Sequence, residues 1–155
     1  MRATLQPQAG ERVLEIGPGT GYYSLDLAGW LAPGGELELF DLQQEFLDHT
    51  MKRVAERGLT NVSATRGDAT ALPHGDDSVD AVVLTAVLGE IPDQDAALSE
   101  IARVLRPGGR LVVGELIGDP HYTSPSALRR RAEAAGLRLE SRSGPAIGYF
   151  ARLVA

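Results

Sequence analysis

Three glycines spaced two residues apart, Gly17, Gly19 and Gly21, follow an apolar run in the segment VLEIGPGTG. Glycine has no Cβ atom, and the first N–H groups of a helix lack partners within the helix, so a glycine turn before a helix admits a ligand close to the backbone. The spacing is GxGxG, because Tyr22 stands where the dinucleotide fingerprint GxGxxG has its third glycine. The turn also lacks the Gly-Lys-Ser/Thr of a triphosphate-binding loop, which argues against a nucleoside triphosphate.

Two aspartates stand at the ends of the next two apolar runs. Asp41 follows Gly17 by about 24 residues. In nucleotide-binding folds that place a glycine turn between a strand and a helix, an acidic residue at this distance holds the ribose hydroxyls. Asp68, in Gly67-Asp68-Ala69, follows the third run and can accept a hydrogen bond from an exocyclic amine such as that of adenine. Each aspartate alone is equally consistent with a turn cap, and Glu15 with a solvated strand end. Their joint occurrence at successive strand ends favours an adenosine-like ligand.

These side chains need an alternation of strands and helices to position them. The pattern predicts five strands joined by helical crossovers, over Arg12–Ile16, Glu36–Phe40, Val62–Arg66, Val79–Leu84 and Arg110–Glu115. It predicts helices over Thr20–Leu31, Gln43–Arg57 and Asp93–Leu105, with Gly58 as a left-handed cap of the second. Five strands with helical crossovers imply a parallel, doubly wound α/β sheet with helices on both faces.

The last third of the chain changes character. Ser124 or Ser126 can cap a helix that runs through Ala135, after which Leu137–Ser141 and Ile147–Val154 are predicted strands. The link between these two strands is too short for a helical crossover, so we expect them to pair antiparallel. The expected fold is therefore Rossmann-like, with seven mostly parallel strands and an antiparallel C-terminal strand. Asp80 begins its strand at the edge away from the ligand, so we expect a structural role for it.

Composition narrows the class of protein. The chain has 155 residues, a formal charge of −6, a pI near 5.0 and no cysteine. One compact domain over residues 1–155 is expected, without disulfides, thiolate metal sites or a cysteine nucleophile. The acidic balance gives no electrostatic footprint for nucleic acid. Apolar runs of about six residues are too short to cross a bilayer and no signal peptide is evident, so we expect no membrane insertion and a cytoplasmic location.

The motifs resemble those of class I S-adenosylmethionine-dependent methyltransferases. The likeness covers Val13–Leu116 and includes, in order, VLEIGPGTG, the acidic FD, GDATALP, SVDAVVLTAVL and LRPGGRLVVGE. It is greatest to the branch that holds quinone-biosynthesis C-methyltransferases and arsenite methyltransferases, and the lack of cysteines separates this chain from the arsenite enzymes. The resemblance implies S-adenosylmethionine as cofactor, S-adenosylhomocysteine as product and a small-molecule acceptor, with no metal.

The resemblance also implies roles for individual residues. Glu15 matches the position that holds the methionine amino group, Asp41 the ribose ligand and Asp68 the adenine-amine acceptor. Leu42 and Ala69 would contact adenine, and Thr85 would line the pocket near the transferable methyl group. The glycine turn would make room for the methionine and ribose portion, and its implied cofactor-binding residues are Gly17, Pro18, Gly19, Thr20 and Gly21.

Methyl transfer is an in-line displacement, so alignment and exclusion of water matter more than a nucleophilic side chain. An acceptor with an acidic hydroxyl or carbon would benefit from a general base. Four residues in loops after the fourth and fifth strands can serve: His121, which we favour because imidazole titrates near neutrality, then Glu90, and also Glu115 and Tyr122.

The N-terminus differs from the family pattern. Only about a dozen residues precede the first strand, whereas related enzymes often carry a helical segment over the acceptor site, and Met1–Gln8 is too short for such a lid. We expect an open acceptor pocket, a partner subunit or second copy that closes it, or a shortened form of a longer protein. The alternative function is a cofactor-binding module with little turnover alone. An NAD-dependent oxidoreductase is disfavoured by the glycine spacing and by the lack of a Tyr-x-x-x-Lys pair, since Lys52 is the sole lysine.

Overall fold

The computed structural model describes all 155 residues and contains one seven-stranded sheet. The strands span Arg12–Ile16 (β1), Glu36–Asp41 (β2), Val62–Arg66 (β3), Val79–Thr85 (β4), Leu105–Leu116 (β5), Arg138–Ser143 (β6) and Gly148–Val154 (β7). The first five strands are parallel, and they occupy the order β3-β2-β1-β4-β5 in the sheet. The predicted Rossmann-like fold is confirmed.

Helices cover both faces of this sheet. They span Arg2–Leu5 (α1), Ser24–Leu31 (α2), Gln44–Glu56 (α3), Gln94–Val104 (α4) and Pro125–Ala134 (α5), with a 3₁₀-helix over Leu88–Glu90. One apolar core lies between the sheet and helices α4 and α5, and a second lies under α1, α2 and α3. None of these helices combines the length and the apolar character that a crossing of a lipid bilayer requires.

The central strands are apolar along almost their whole length because helices pack on both of their faces. In β4, Val82 and Leu84 belong to one core while Ala81 and Val83 belong to the other, as the alternation of side chains along a strand requires. The strand order reverses between β1 and β4, whose Glu15 and Val83 are register partners. Open α/β sheets bind ligands outside the carboxyl ends of their strands at such a reversal.

The last strand lies inside the sheet rather than at its edge. β7 pairs antiparallel with β5 on one side and with β6 on the other, which confirms the expected antiparallel pairing. β6 is left as a mostly exposed edge strand. The helix before it begins as expected, since the Ser124 side chain accepts a hydrogen bond from the backbone N–H of Ala127.

Two elements begin several residues away from their expected starts, and one further element is not predicted by the sequence pattern. α2 begins at Ser24 rather than Thr20, because the preceding residues form a turn. β5 begins at Leu105 rather than Arg110, since Val79 already pairs with Leu105 before an irregularity in the ladder. The short helix α1, which was not expected, packs against β5 and β7.

Asp80 has the structural role expected of it. Its carboxylate accepts the backbone N–H of Arg12 at 2.8 Å and pairs with the guanidinium of Arg106. The residue thereby ties the start of β4 to the start of β1 and to the turn before the paired part of β5. It lies away from the carboxyl edge, where the candidate site is found.

Candidate functional site

A cavity of about 640 Å³ opens at the carboxyl edge of the sheet. Its walls come from the segments that follow β1, β2, β3 and β4, so four successive parallel strands deliver residues to one place. The cavity therefore lies where the strand order reverses, as the topology predicts.

The glycine turn after β1 forms the floor of this cavity. Gly17 and Gly19 have φ values of 67° and 53°, in the left-handed region that side chains with a Cβ rarely adopt. A Cβ on Gly17 would lie 2.4 Å from the Val87 side chain. A Cβ on Gly19 would meet nothing within 4 Å, and together with Pro18 this residue lines the cavity. Gly19 thus leaves open space where a ligand can approach its backbone.

Helix α3 holds the glycine turn from outside. The buried Thr50 hydroxyl donates to the Gly19 carbonyl at 3.1 Å, and the Arg53 guanidinium donates to the Thr20 carbonyl. A Cβ on Gly21 would lie 2.7 Å from the Thr50 methyl group. Thr20 and Gly21 do not line the cavity, contrary to the ligand contacts expected of them. Their contacts with α3 show that they shape the turn, because α3 takes up the carbonyl and the space beside them.

Glu15 is the buried polar group at the base of the cavity. The residue is 4% exposed, and neither its Oε2 atom nor the nearby Ser24 hydroxyl has a hydrogen-bond partner in the protein. Burial raises the pKa of the Glu15 carboxyl to about 7. A buried carboxylate oxygen without a partner is costly, so the site has the capacity to take an N–H or O–H donor from a ligand.

Asp41 and Leu42 line the cavity at the end of β2. Asp41 Oδ1 accepts the backbone N–H of Gln43 at 2.8 Å, while partial burial raises the pKa of the carboxyl. The Leu42 side chain is largely exposed, and with Phe46 it adds an apolar surface to this wall. The arrangement offers a hydrogen-bond acceptor beside a surface suited to a flat ring.

Asp68 and Ala69 follow β3 and complete the same end of the cavity. Asp68 Oδ1 accepts the N–H and the hydroxyl of Thr70, at 2.9 and 2.8 Å, and these bonds lower the pKa of the carboxyl. Phe40 forms the wall beneath, since a Cβ on Gly67 would lie 2.4 Å from its ring. Asp68 therefore stays ionised and fixed, with its second oxygen left for a ligand.

The segment after β4 supplies the opposite end. Thr85 lines the cavity, and its buried hydroxyl has no hydrogen-bond partner in the protein. Glu90, in the 3₁₀-helix, is exposed and also lines the cavity, together with Ile91 and Pro92. Tyr22, which is 78% exposed, faces the same cavity from the glycine turn. This end combines an apolar surface with the hydroxyls of Thr85 and Tyr22 and one exposed carboxylate.

His121, our preferred candidate for a general base, lies outside the cavity. Its imidazole is 57% exposed and stands 3.7 Å from the Asp119 carboxylate. The backbone of His121 packs on Gly89, where a Cβ would lie 1.6 Å from the His121 carbonyl oxygen. This contact brings the loop backbone, rather than the imidazole, to the 3₁₀-helix of the site.

Two further candidate bases also face elsewhere. Glu115 is buried, accepts the backbone N–H of Thr123 at 3.2 Å and has a pKa raised by burial to about 7. The Tyr122 hydroxyl donates to the Ala146 carbonyl. Neither residue lines the cavity, so Glu90 is the one candidate base of the four that does.

Several residues at the site are not among the candidates that the sequence analysis names. Phe40, Gln43 and Phe46 line the cavity around Asp41, and Thr50 and Arg53 hold the glycine turn. Adjacency to Asp41 would have indicated the first three, because the end of β2 and the start of α3 must flank that carboxylate. The two residues on α3 form contacts across about 31 and 33 positions of sequence, which spacing alone does not reveal.

Comparison with known proteins shows that this chain is similar to methyltransferases. A family described as "Methyltransferase domain" matches residues 13–109. The chain is 39% identical over 114 residues to a demethylmenaquinone methyltransferase of Clavibacter sepedonicus, across 74% of this chain and 44% of that protein. It is 36% identical over 115 residues to the ubiquinone/menaquinone biosynthesis C-methyltransferase UbiE of Cellvibrio japonicus, across 74% and 46%. The chain therefore spans less than half the length of these two relatives.

Solved structures share the fold at lower sequence identity. A SAM-dependent methyltransferase from Aquifex aeolicus superposes with a TM-score of 0.86 at 22% identity, over 95% of this chain and 82% of that one. The methyltransferase CalH, solved in complex with SAH, superposes with a TM-score of 0.78 at 23% identity, over 94% and 51%. These similarities confirm the fold.

Proposed function

Since the chain belongs to the methyltransferase domain family, we propose that it transfers a methyl group from S-adenosylmethionine to a small-molecule acceptor. The observation that carries this proposal is the row of three acidic groups at the ends of the neighbouring strands β1, β2 and β3, beside a glycine turn that opens into one cavity. We also propose that residues 1–155 form a single cofactor-binding domain.

The residues of the cavity fit an adenosyl ligand with an amino-acid tail. The unpartnered Oε2 of Glu15 would accept a hydrogen bond from the ligand's ammonium group, and Asp41 would accept hydrogen bonds from the ribose hydroxyls. The free oxygen of Asp68 would accept the adenine amine, with Leu42 and Ala69 against the ring. Gly19 leaves open space in which the ligand can approach the protein backbone.

S-adenosylmethionine, when bound, supplies an electrophilic methyl group on a sulfonium centre. The chain's own contribution is alignment, because in-line displacement requires the acceptor atom and the methyl group to be held in near-attack geometry. The end of the cavity near Thr85, Ile91 and Tyr22 would hold the acceptor, and its apolar walls would exclude water. Glu90 would accept the proton when the acceptor is a hydroxyl or an acidic carbon.

The relatives favour a quinone-type ring as the acceptor. The two named above are called a demethylmenaquinone methyltransferase and a ubiquinone/menaquinone biosynthesis C-methyltransferase. We therefore propose reduced demethylmenaquinone as the first acceptor to test, with methylation at ring carbon. A smaller hydroxylated aromatic is the next choice.

Calorimetric titration tests the cofactor half of this proposal. S-adenosylmethionine and S-adenosylhomocysteine should each bind with one site per chain, while NAD should not bind, because the turn lacks the GxGxxG spacing. Binding of NAD without binding of either adenosyl ligand would overturn the assignment in favour of an oxidoreductase.

Product formation tests the transfer half. We expect S-adenosylhomocysteine to accumulate only when the acceptor is present, and Glu90→Gln to lower the rate by about 10²-fold with little change in cofactor affinity. Cofactor binding without product for any acceptor would favour the alternative, a binding module that needs a partner for turnover.

A further inference from the structure

The segment between β3 and β4, residues 67–78, carries one end of the cavity and contains neither helix nor strand. Its cavity-lining residues include Asp68 and Ala69. The Asp68 carbonyl accepts the N–H of Ala71 at 3.0 Å, and the Asp68 carboxylate accepts two hydrogen bonds from Thr70. These bonds close a local turn. A carboxylate in such a segment needs support from neighbouring elements to stay in one place.

Two charged residues of helix α4 supply that support at Leu72, the residue that follows the turn. Glu100 Oε2 accepts the backbone N–H of Leu72 at 2.9 Å, and Arg103 Nη2 donates to the Leu72 carbonyl at 3.1 Å. The Leu72 side chain is buried in the same apolar core as α4. Helix α4 therefore holds both backbone groups of a residue that lies four positions from Asp68.

Arg103 also holds the rest of the segment. Its Nη1 atom donates to the His74 carbonyl and to the Asp76 carboxylate, both at 2.8 Å. Its Nε and Nη2 atoms donate to the two carboxylate oxygens of Glu100, at 2.8 and 2.7 Å. These bonds lower the pKa of the Glu100 carboxyl, so the pair stays ionised. The planar guanidinium thus joins one carboxylate on its own helix to three residues of the segment.

We propose that Glu100 and Arg103 are positioning residues for the purine ring: they hold the segment after β3 so that Asp68 selects a purine with an amino group over one with a carbonyl. This inference rests on the proposed function, in which Asp68 accepts the adenine amine. Neither Glu100 nor Arg103 lines the cavity. They act through Asp68, because a hydrogen bond weakens steeply when its distance and angle change.

Two ligands that differ at one position of the purine test the inference. S-inosylhomocysteine has a carbonyl oxygen where S-adenosylhomocysteine has its amine, so it offers Asp68 an acceptor instead of a donor. Calorimetric titration of each ligand gives the ratio of the two affinities. The wild type should prefer the adenosyl ligand by at least about tenfold, and Asp68→Asn, whose amide can donate to the carbonyl, should abolish or reverse the preference.

Arg103→Gln is the decisive variant. It removes most of the bonds to the segment, so the preference should fall to about threefold or less. Arg103→Lys keeps the charge beside Glu100 but lacks the planar fork, so its ratio should lie between those of Arg103→Gln and the wild type. A purely structural role would not change this ratio, because a loss of folded protein weakens the binding of both ligands equally.

Arg106→Gln is the matched control. Arg106 pairs with the Asp80 carboxylate and donates to the Asp77 carbonyl at 3.3 Å, so it holds the far end of the same segment, beside β4. The variant should keep the wild-type ratio even if it is less stable. An equal fall of the ratio in Arg103→Gln and Arg106→Gln, or a wild-type ratio in Arg103→Gln, would overturn the proposal.

Failure of the proposed function is visible separately. If the wild type does not bind S-adenosylhomocysteine, the function is wrong and the inference falls with it. If the wild type binds both ligands equally, the function stands and the inference about Glu100 and Arg103 falls.

Discussion

At the scale of single residues, we propose that Asp41 marks the end of the cavity that takes a ribosyl group. Its carboxylate stands at the end of β2 with one oxygen fixed by the Gln43 N–H. Asp41→Ala should weaken S-adenosylhomocysteine binding by about 1.5 to 3 kcal/mol, the range for hydrogen bonds to a charged group. Calorimetry on a folded variant measures this, and Asp48→Ala, on the exposed face of α3, is the control. Unchanged affinity would place the ribose elsewhere.

We expect Thr50 to affect ligand binding through the backbone of the glycine turn, which its hydroxyl holds. Thr50→Val keeps the shape that fills the space beside Gly21 but removes the hydrogen bond to the Gly19 carbonyl. We expect S-adenosylhomocysteine affinity to fall about fivefold, with altered amide shifts at Gly17 and Gly19 in the ligand-free protein.

Thr50→Ser is the matched variant, since it keeps the hydroxyl. It should retain the affinity and the amide shifts of the wild type. A Thr50→Val protein that binds as tightly as wild type would show that the turn holds its conformation without α3.

At the scale of elements, helix α4 follows the cavity residues Ile91 and Pro92 directly and packs into the apolar core. Asp93 caps this helix, with its side chain accepting the Ala96 N–H at 3.0 Å, directly after Pro92 of the cavity wall. Asp93→Ala should lower the free energy of unfolding by about 1 kcal/mol, and Asp93→Ser should restore most of it. Urea titrations measure both. Equal stability of the alanine and wild-type proteins would contradict a capping role.

Elements that are buried on both faces could be predicted from the sequence. β1 and β4 are near-continuous apolar runs, as strands covered by helices on both sides must be, and the helix caps at Gly58 and Ser124 carry their own signals. Helix α1 has four residues, which are too few to show a hydrophobic periodicity, so neither the helix nor its packing against β5 and β7 could be predicted. The sequence pattern predicts a start for α2 at Thr20, which is too early, because contacts from α3 hold the residues before Ser24 in a turn.

The site divides in the same way. The cavity residues at the carboxyl ends of strands, such as Glu15, Asp41 and Asp68, could be predicted because parallel strands end at one edge. His121 could not be placed, because the direction of an imidazole in a loop depends on backbone packing, here on Gly89. Glu90 could be placed because its loop follows a central strand directly.

At the scale of the whole molecule, two buried carboxyls make stability depend on pH. Burial raises the pKa of Glu15 and of Glu115 from 4.5 to about 7, so the folded protein keeps protons that the unfolded chain releases between these values. Their contribution is fully present below about pH 4.5 and is lost as the pH rises through about 7. The free energy of unfolding of the ligand-free protein should fall over this window.

Glu15→Gln isolates one of these groups. It should flatten the pH dependence by up to roughly 3 kcal/mol between pH 4.5 and 7, as measured by urea titrations at each pH. Glu56→Gln, on the exposed end of α3, should leave the wild-type slope in place. A slope that is identical in wild type and Glu15→Gln would show that Glu15 is not the buried acid responsible.

The position of β7 has a consequence for how the protein is made. This strand is the last of the seven along the chain, yet it lies between β5 and β6, while the residues that line the cavity run from Glu15 to Pro92. During synthesis, the half of the sheet that forms the cavity is therefore complete while β5 and β6 still have unpaired edges. Such edges are templates for aggregation. Loss of the β7 residues, Gly148–Val154, would therefore harm solubility before it harmed the cavity.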